Sequence, residues 1–261
     1  MKKTAIANQK GGVAKTGTVL GLCSACSTKG LGVLVVDLDP QANLTSGLGV
    51  SLDHTAEAVT ANDLLLQYRE GTALDAVIET PWPGVDLIPA TLDLANRDLD
   101  GANDVMFRLR AAFEGCDLSK YDAVLFDCPP SVGRLMIGAL IAADQVVYVT
   151  DATKDGLLGI NNIQRSTGLV KKNLNPALEV AKIVITKREN NNEQNFREDE
   201  IRDVYGDLVA RTVIPKRAAW NDAHGMSKPI HTMAGNKGAL TLSVAFTDLL
   251  DELPIVEKSH R

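Results

Sequence analysis

The sequence predicts an α/β fold: a doubly wound, mostly parallel twisted sheet with helices on both faces. Three observations lead there. Short runs of Val, Leu and Ile alternate with helical patterns along the chain, as expected for strands buried on both faces and joined by crossover helices. The composition, 45% hydrophobic with only 4% aromatic residues, suits an aliphatic core. A glycine-rich loop follows the first apolar run and opens the first helical pattern, which is where such folds bind phosphate.

The first strand, 4–7, passes through that loop into a helix over 15–29, and VLVV at 33–36 forms the second strand. A helical pattern over 61–68 precedes a strand at 85–88, and apolar spacing predicts one long helix over 92–113. The runs at 123–126 and 146–149 are continuously apolar and flank a helix over 134–142. Helices over 157–172 and 196–205 alternate with strands at 180–185 and 209–214, and a last helix over 239–250 has one apolar face. No Pro/Gly/Ser-rich linker and no internal repeat divides the chain, so residues 1–261 read as one domain.

The net charge of −6 argues against a protein that coats nucleic acid with its whole surface. The segment 182–228 is less acidic, with nine Lys/Arg against eight Asp/Glu, while the remainder carries 18 against 25. The opening residues imitate a secretory signal, but Asn8, Gln9 and Lys10 end the apolar run short of the ~7–15 residues an h-region needs. No segment approaches the roughly 18 apolar residues of a membrane span, so a cytoplasmic protein is expected. Cys23 and Cys26 have C-x-x-C spacing, but they fall inside the first helix and read as small buried hydrophobes.

The loop is Asn8-Gln9-Lys10-Gly11-Gly12-Val13-Ala14-Lys15-Thr16-Gly17. Against the pattern G-x-x-x-x-G-K-[ST], Gln9 and Ala14 stand where glycines are usual, and Lys10 is an additional cation. Backbone N–H groups from Gly11 to Thr16 would converge on phosphate oxygens, Lys15 would reach the β and γ phosphates, and the Thr16 hydroxyl would bind Mg²⁺. A glycine-rich turn with surface lysines is the plainer alternative.

Asp37 and Asp39 follow the run 33–36, and Asp127 follows 123–126. Ligands of open α/β sheets bind outside the carboxyl ends of strands, which places these acids near the phosphates. Asp127 would hold Mg²⁺ through water. Either Asp37 or Asp127 taken alone could simply cap a loop or helix.

The run KGGVAKT resembles the deviant Walker A motif of the ParA/MinD ATPases, whose pattern K-G-G-x-x-K-[ST] accommodates Ala14. The resemblance continues through 151–160 and 213–230. It implies a P-loop NTPase fold with ATP and Mg²⁺, and nucleotide contacts from Lys10, Gly11, Gly12, Val13, Ala14, Lys15, Thr16, Gly17 and Pro215. It also implies that Lys10, Lys15 and Asp39 are catalytic, Lys10 by crossing a dimer interface to the partner's nucleotide and Asp39 by orienting the attacking water. Thr16, Asp39 and Asp127 are the implied metal residues. One departure is Gly17, where the family usually has a second threonine, so a hydroxyl near the α-phosphate is missing.

Within that family the sequence most resembles the DNA-partition branch, which implies an ATP-dependent homodimer, non-specific DNA, a ParB-like activator and a nucleoid-associated location. The DNA candidates are Lys187, Arg188, Lys216, Arg217 and Lys228, with Lys182, Arg197 and Arg202 behind them. Ala218 and Ala219 stand where similar proteins often have an arginine. No helix-turn-helix precedes the first strand, so sequence-specific operator binding is not expected. The alternatives are a MinD-like membrane-cycling ATPase and an ATP-dependent metabolic ligase. The first would need a cationic amphipathic terminal helix, whereas Asp248, Asp251 and Glu252 and a tail opening at Pro254 suit a core-packing last helix and no membrane partner.

Overall fold

The computed structural model describes residues 1–52, 58–233 and 235–256. Its strands are β1 (Lys3–Ala7), β2 (Val33–Asp37), β3 (Ile78–Glu79), β4 (Val85–Ile88), β5 (Ala123–Asp127), β6 (Gln145–Asp151) and β7 (Glu179–Thr186). They form one sheet in the order β3-β4-β2-β5-β1-β6-β7, parallel except for the edge strand β3. The helices are α1 (Lys15–Thr28), α2 (Asn43–Gly47), α3 (Ala61–Leu64), α4 (Ala95–Leu99), α5 (Val105–Phe113), α6 (Arg134–Ala142), α7 (Lys154–Asn173), α8 (Asn192–Tyr205), α9 (Ala218–Gly225) and α10 (Lys237–Glu252).

Side-chain alternation divides the sheet between two cores. Ala5 and Ala7 of β1, with Leu34 and Val36 of β2, face the layer holding α5, α6 and α7. Ile6, Val33 and Val35 face the opposite layer, built from α1, α9 and α10. Helix α1 is buried along most of its length because α10 covers its outer side, and Gly21 lets the Phe246 ring lie against its backbone. Leu242, Phe246, Leu249 and Leu250 of α10 are buried in this layer, the core-packing role expected of the last helix. The end of the tail, 257–261, lies outside the described residues.

Three expected elements come out differently, each where a side chain takes backbone groups that the local pattern had assigned elsewhere. The run 209–214 is not a strand, and only isolated bridges join Val209 to Ile183 and Pro215 to Arg188. Here the Glu252 carboxylate accepts the N–H groups of Arg211 and Thr212 at 2.7 and 3.0 Å. The helix expected over 61–68 ends at Leu64, and Arg108 donates to the carbonyls of Leu65 and Leu66, both at 2.9 Å. The helix expected over 92–113 is a 3-10 turn (Leu92–Leu94) and α4, then a break and α5. Asp100 causes the break by accepting the Ala102 N–H at 3.0 Å. Conversely α9 occupies a stretch for which no helix was expected.

Candidate functional site

The loop after β1 is pinned from below. Asn8 is fully buried, donates to the Val149 carbonyl at 2.7 Å and accepts the Lys10 N–H at 2.9 Å. Gly12 and Ala14 have φ of 76° and 63°. Glycine reaches that region freely, but for alanine it costs roughly 1 kcal/mol. Ala14 is the N-cap of α1 and provides no side-chain cap, so the N–H groups of the first turn are left for an external acceptor. Gly11 and Gly12 are exposed, with open space where a Cβ would stand.

Behind the loop, the carboxyl ends of three strands bring charge together. Lys15 is 7% exposed, and its Nζ lies 3.4 Å from the Lys10 carbonyl. Burial lowers its pKa, opposed by the charges of Asp127, Cys128 and Asp39. Asp127 pairs in register with Asp37 on one side and Ile6 on the other, so the acids of β2 and β5 stand level. Asp127 is fully buried and neither carboxylate oxygen has a hydrogen-bond partner among the described residues. Burial, and then the Asp37 charge, raise its pKa well above the carboxylate range, while Thr16 and Lys15 oppose this. The Thr16 hydroxyl influences Asp127 without completing a hydrogen bond.

Asp37 has a different role. Its Oδ2 accepts from the Thr45 N–H at 2.9 Å and the Thr45 hydroxyl at 2.7 Å, and its Oδ1 accepts from the Asp39 N–H at 3.1 Å. The Thr45 hydroxyl oxygen also accepts from Ala90 N–H at 3.1 Å. Asp37 therefore braces the loop that presents Asp39, and burial pushes its pKa to about 6 against those hydrogen bonds. Asp39 is half-buried, and among the described residues its carboxylate accepts only the Gln41 N–H, at 3.0 Å.

Lys10 is held within its own chain. Its Nζ donates to both oxygens of Asp151 at 2.9 Å and to the Thr153 hydroxyl at 3.0 Å, with the Lys10 and Asp151 side chains 26% and 19% exposed. Thr153 is in turn the N-cap of α7.

A cleft of about 660 Å³ opens beside the loop, lined by Gly12, Gly17, Lys187, Lys216, Arg217 and Trp220 among others. Pro215 is not one of the lining residues; it precedes Lys216, which is, and stands between the backbone hydrogen bonds that link Arg188 to Ile214 and Lys216 to Arg188. Of the five expected DNA contacts, Lys187, Lys216 and Arg217 line this cleft. Lys187 donates to the Gly12 carbonyl at 2.6 Å, over the phosphate loop. Arg188 is paired with Glu198 at 2.7 Å, and Glu198 also binds Arg202. Lys216 is paired with Glu189 at 2.9 Å, Arg217 donates to its neighbour's carbonyl, and exposed Lys228 lies outside the cleft lining. Cys23 and Cys26 are buried free thiols in α1, and burial pushes Cys26 up to about 12.

A family model described as an AAA domain matches residues 1–180. The chain is 36% identical over 236 residues to the chromosome partitioning protein ParA of Caulobacter vibrioides, covering 88% of this chain and 86% of that protein. This chain belongs to the ParA/MinD family of ATPases. It is also 34% identical over 232 residues to the sporulation initiation inhibitor protein Soj of Bacillus subtilis, covering 88% and 90% of the two chains. A structure described as cobyrinic acid a,c-diamide synthase from Mycobacterium smegmatis with bound ADP and magnesium aligns with a TM-score of 0.76. That alignment has 29% identity and covers 98% of both chains. Among the described residues no helix is long and apolar enough to cross a membrane.

Within this ParA-family site, sequence reasoning missed Asn8, Asp151, Thr153 and Trp220. Asn8 and Asp151 each stand just past or at the end of a β-strand, a position that could have flagged them. Nothing local marks Trp220, which reaches the loop from α9.

Proposed function

We propose that this ParA-family protein is a Mg²⁺-dependent ATPase that dimerises with ATP, holds non-specific DNA as a dimer, and is triggered by a ParB-like partner to hydrolyse ATP and let go. The observation that carries the nucleotide reading is Asp127, a buried carboxylate with both oxygens unpartnered, beside buried Lys15 at the foot of a helix with free N–H groups. Such an acid fits a hydrated Mg²⁺, which keeps its waters and takes few protein ligands. Thr16, Asp39 and Asp127 would hold the ion, which neutralises phosphate charge when bound.

The protein's own groups do the rest. Gly11 to Thr16 present N–H donors, Lys15 would neutralise phosphate charge, and Asp39, whose carboxylate accepts one backbone N–H among the described residues, would hold the attacking water. Lys10 would leave Asp151 and Thr153 and reach the nucleotide of a second copy, as an arginine finger does. Pro215 borders the nucleotide, and the whole chain, 1–261, works as one ATPase domain. DNA contact falls to Lys216, Arg217 and Lys228, with Lys187 committed to the loop and Arg188 to Glu198. This reading places the protein in the cytoplasm, on the nucleoid.

The M. smegmatis structure favours a second reading, an ATP-dependent ligase acting on a small molecule. The two are separated by measuring DNA binding and ATP hydrolysis with no nucleotide, ADP and ATP in parallel. The partition reading expects DNA binding with ATP only, weakening steeply as salt rises. A protein that hydrolyses ATP and ignores DNA under all three conditions overturns it.

A further inference from the structure

The chain has two tryptophans, at 82 and 220. The Trp82 indole N–H donates to the Ser227 carbonyl at 3.0 Å. Trp220 is 8% exposed and packs edge-on against Phe246, with ring centroids 5.4 Å apart, yet among the described residues nothing accepts from its Nε1. The ring is buried while its Nε1 remains reachable from solvent, so this N–H is open to an acceptor from outside the protein. Trp220 lines the cleft beside the phosphate loop.

Its position is defined by Gly17. A Cβ built on Gly17 would stand 2.6 Å from Trp220 Nε1 and under 3 Å from two ring carbons. The indole therefore fills the volume that any side chain at 17 would occupy, and its N–H stands where a residue-17 donor would be. Gly17 is the third residue of α1, in the turn whose N–H groups await an anion. Lys15 and Thr16 are the residues assigned to the terminal phosphates and Mg²⁺, so a donor at 17 would meet a phosphate that ADP shares with ATP.

We propose that Trp220 is a nucleotide-binding residue whose indole N–H donates to a phosphate oxygen common to ADP and ATP, supplying from α9 the donor that Gly17 lacks. This rests on the nucleotide-site reading above. It makes Gly17 and Trp220 a matched pair, since a larger residue at 17 and an indole at 220 exclude each other.

Calorimetric titration of Mg·ADP and Mg·ATP into the full chain tests it. Trp220→Phe keeps a ring against Phe246 and removes the donor, so affinity for both nucleotides should fall about tenfold, the worth of one hydrogen bond to a charged acceptor. Gly17→Thr paired with Trp220→Leu restores a hydroxyl and should recover most of the loss. In Trp82→Phe, where Trp220 is the sole indole, its emission should change when Mg·ADP is added. Wild-type affinity in Trp220→Phe, or an emission that does not respond, overturns the proposal. Lys15→Ala separates the two levels. If it loses nucleotide while Trp220→Phe does not, only the Trp220 assignment falls, and if it binds as tightly as wild type the nucleotide site itself falls, taking this proposal with it.

Discussion

Asp127→Asn should make the nucleotide-free protein more stable, although it removes a residue central to the proposed chemistry. Among the described residues the fully buried wild-type carboxylate has no hydrogen bond to either oxygen; an unmet buried polar group costs about 1–3 kcal/mol and more when charged, so the amide, still unmet but neutral, removes the charged part of the cost. Lys15 opposes the gain, because the Asp127 charge is the largest influence sustaining its own ionisation. A net gain of about 1 kcal/mol is left, which for a protein of this size raises Tm by roughly 2–4 °C. The effect depends on pH with a defined sign. Asp37 has a native pKa of about 6 and that of Asp127 is also raised, so the folded protein retains protons that the unfolded chain has lost. Their contribution is complete below the unfolded value near 4 and drains away as pH rises through 6 and beyond. Wild type in EDTA should therefore melt higher at pH 5 than at pH 8, and Asp127→Asn should show a shallower slope and the higher Tm at pH 8. Adding Mg·ADP should reverse the order, since only wild type gains the full binding energy. A variant that melts below wild type at pH 8 in EDTA would refute the reasoning.

Freeing Lys10 from its own chain should favour the dimer. Asp151→Asn weakens a partly buried pair worth about 1 kcal/mol, so ATP-dependent dimerisation measured by analytical ultracentrifugation should tighten about fivefold, whereas Lys10→Ala should abolish it and spare ADP binding. At Ala14, glycine relieves the left-handed backbone but loosens the unfolded chain, leaving stability within about 0.5 kcal/mol of wild type in urea unfolding. Ala14→Val, branched at a positive φ, should cost about 2 kcal/mol or more. Asp39→Ala should still bind ATP and accumulate as dimer, with hydrolysis lost in a phosphate-release assay.

The strand ends, the loop and its acids were legible because each is written in neighbouring residues: an apolar run, then Gly-Gly, Lys15 and Thr16, or an apolar run and then an Asp. What was not legible depends on residues far away in sequence. Glu252 takes the N–H groups of Arg211 and Thr212 and so removes a strand. Arg108 shortens α3 by holding the carbonyls beyond it. Lys10 reads as a free cation in the loop, but β6 supplies Asp151 to hold it. Lys187 and Arg188 look like surface charge until the fold gives them Gly12 and Glu198 as partners. Gly17 looks like a simple loss until Trp220 arrives from α9.

The Thr45 hydroxyl sits between two structures at once, giving its proton to Asp37 at the end of β2 and receiving one from the Ala90 amide just past β4. One rotor thus latches the Asp39 segment to the stretch that carries the solvent-facing Leu92 and Leu99. Neither side can loosen alone, so their amides should exchange with deuterium as a single cooperative unit, and a disturbance at Asp39, the proposed water-holding acid, would be felt at that outer surface.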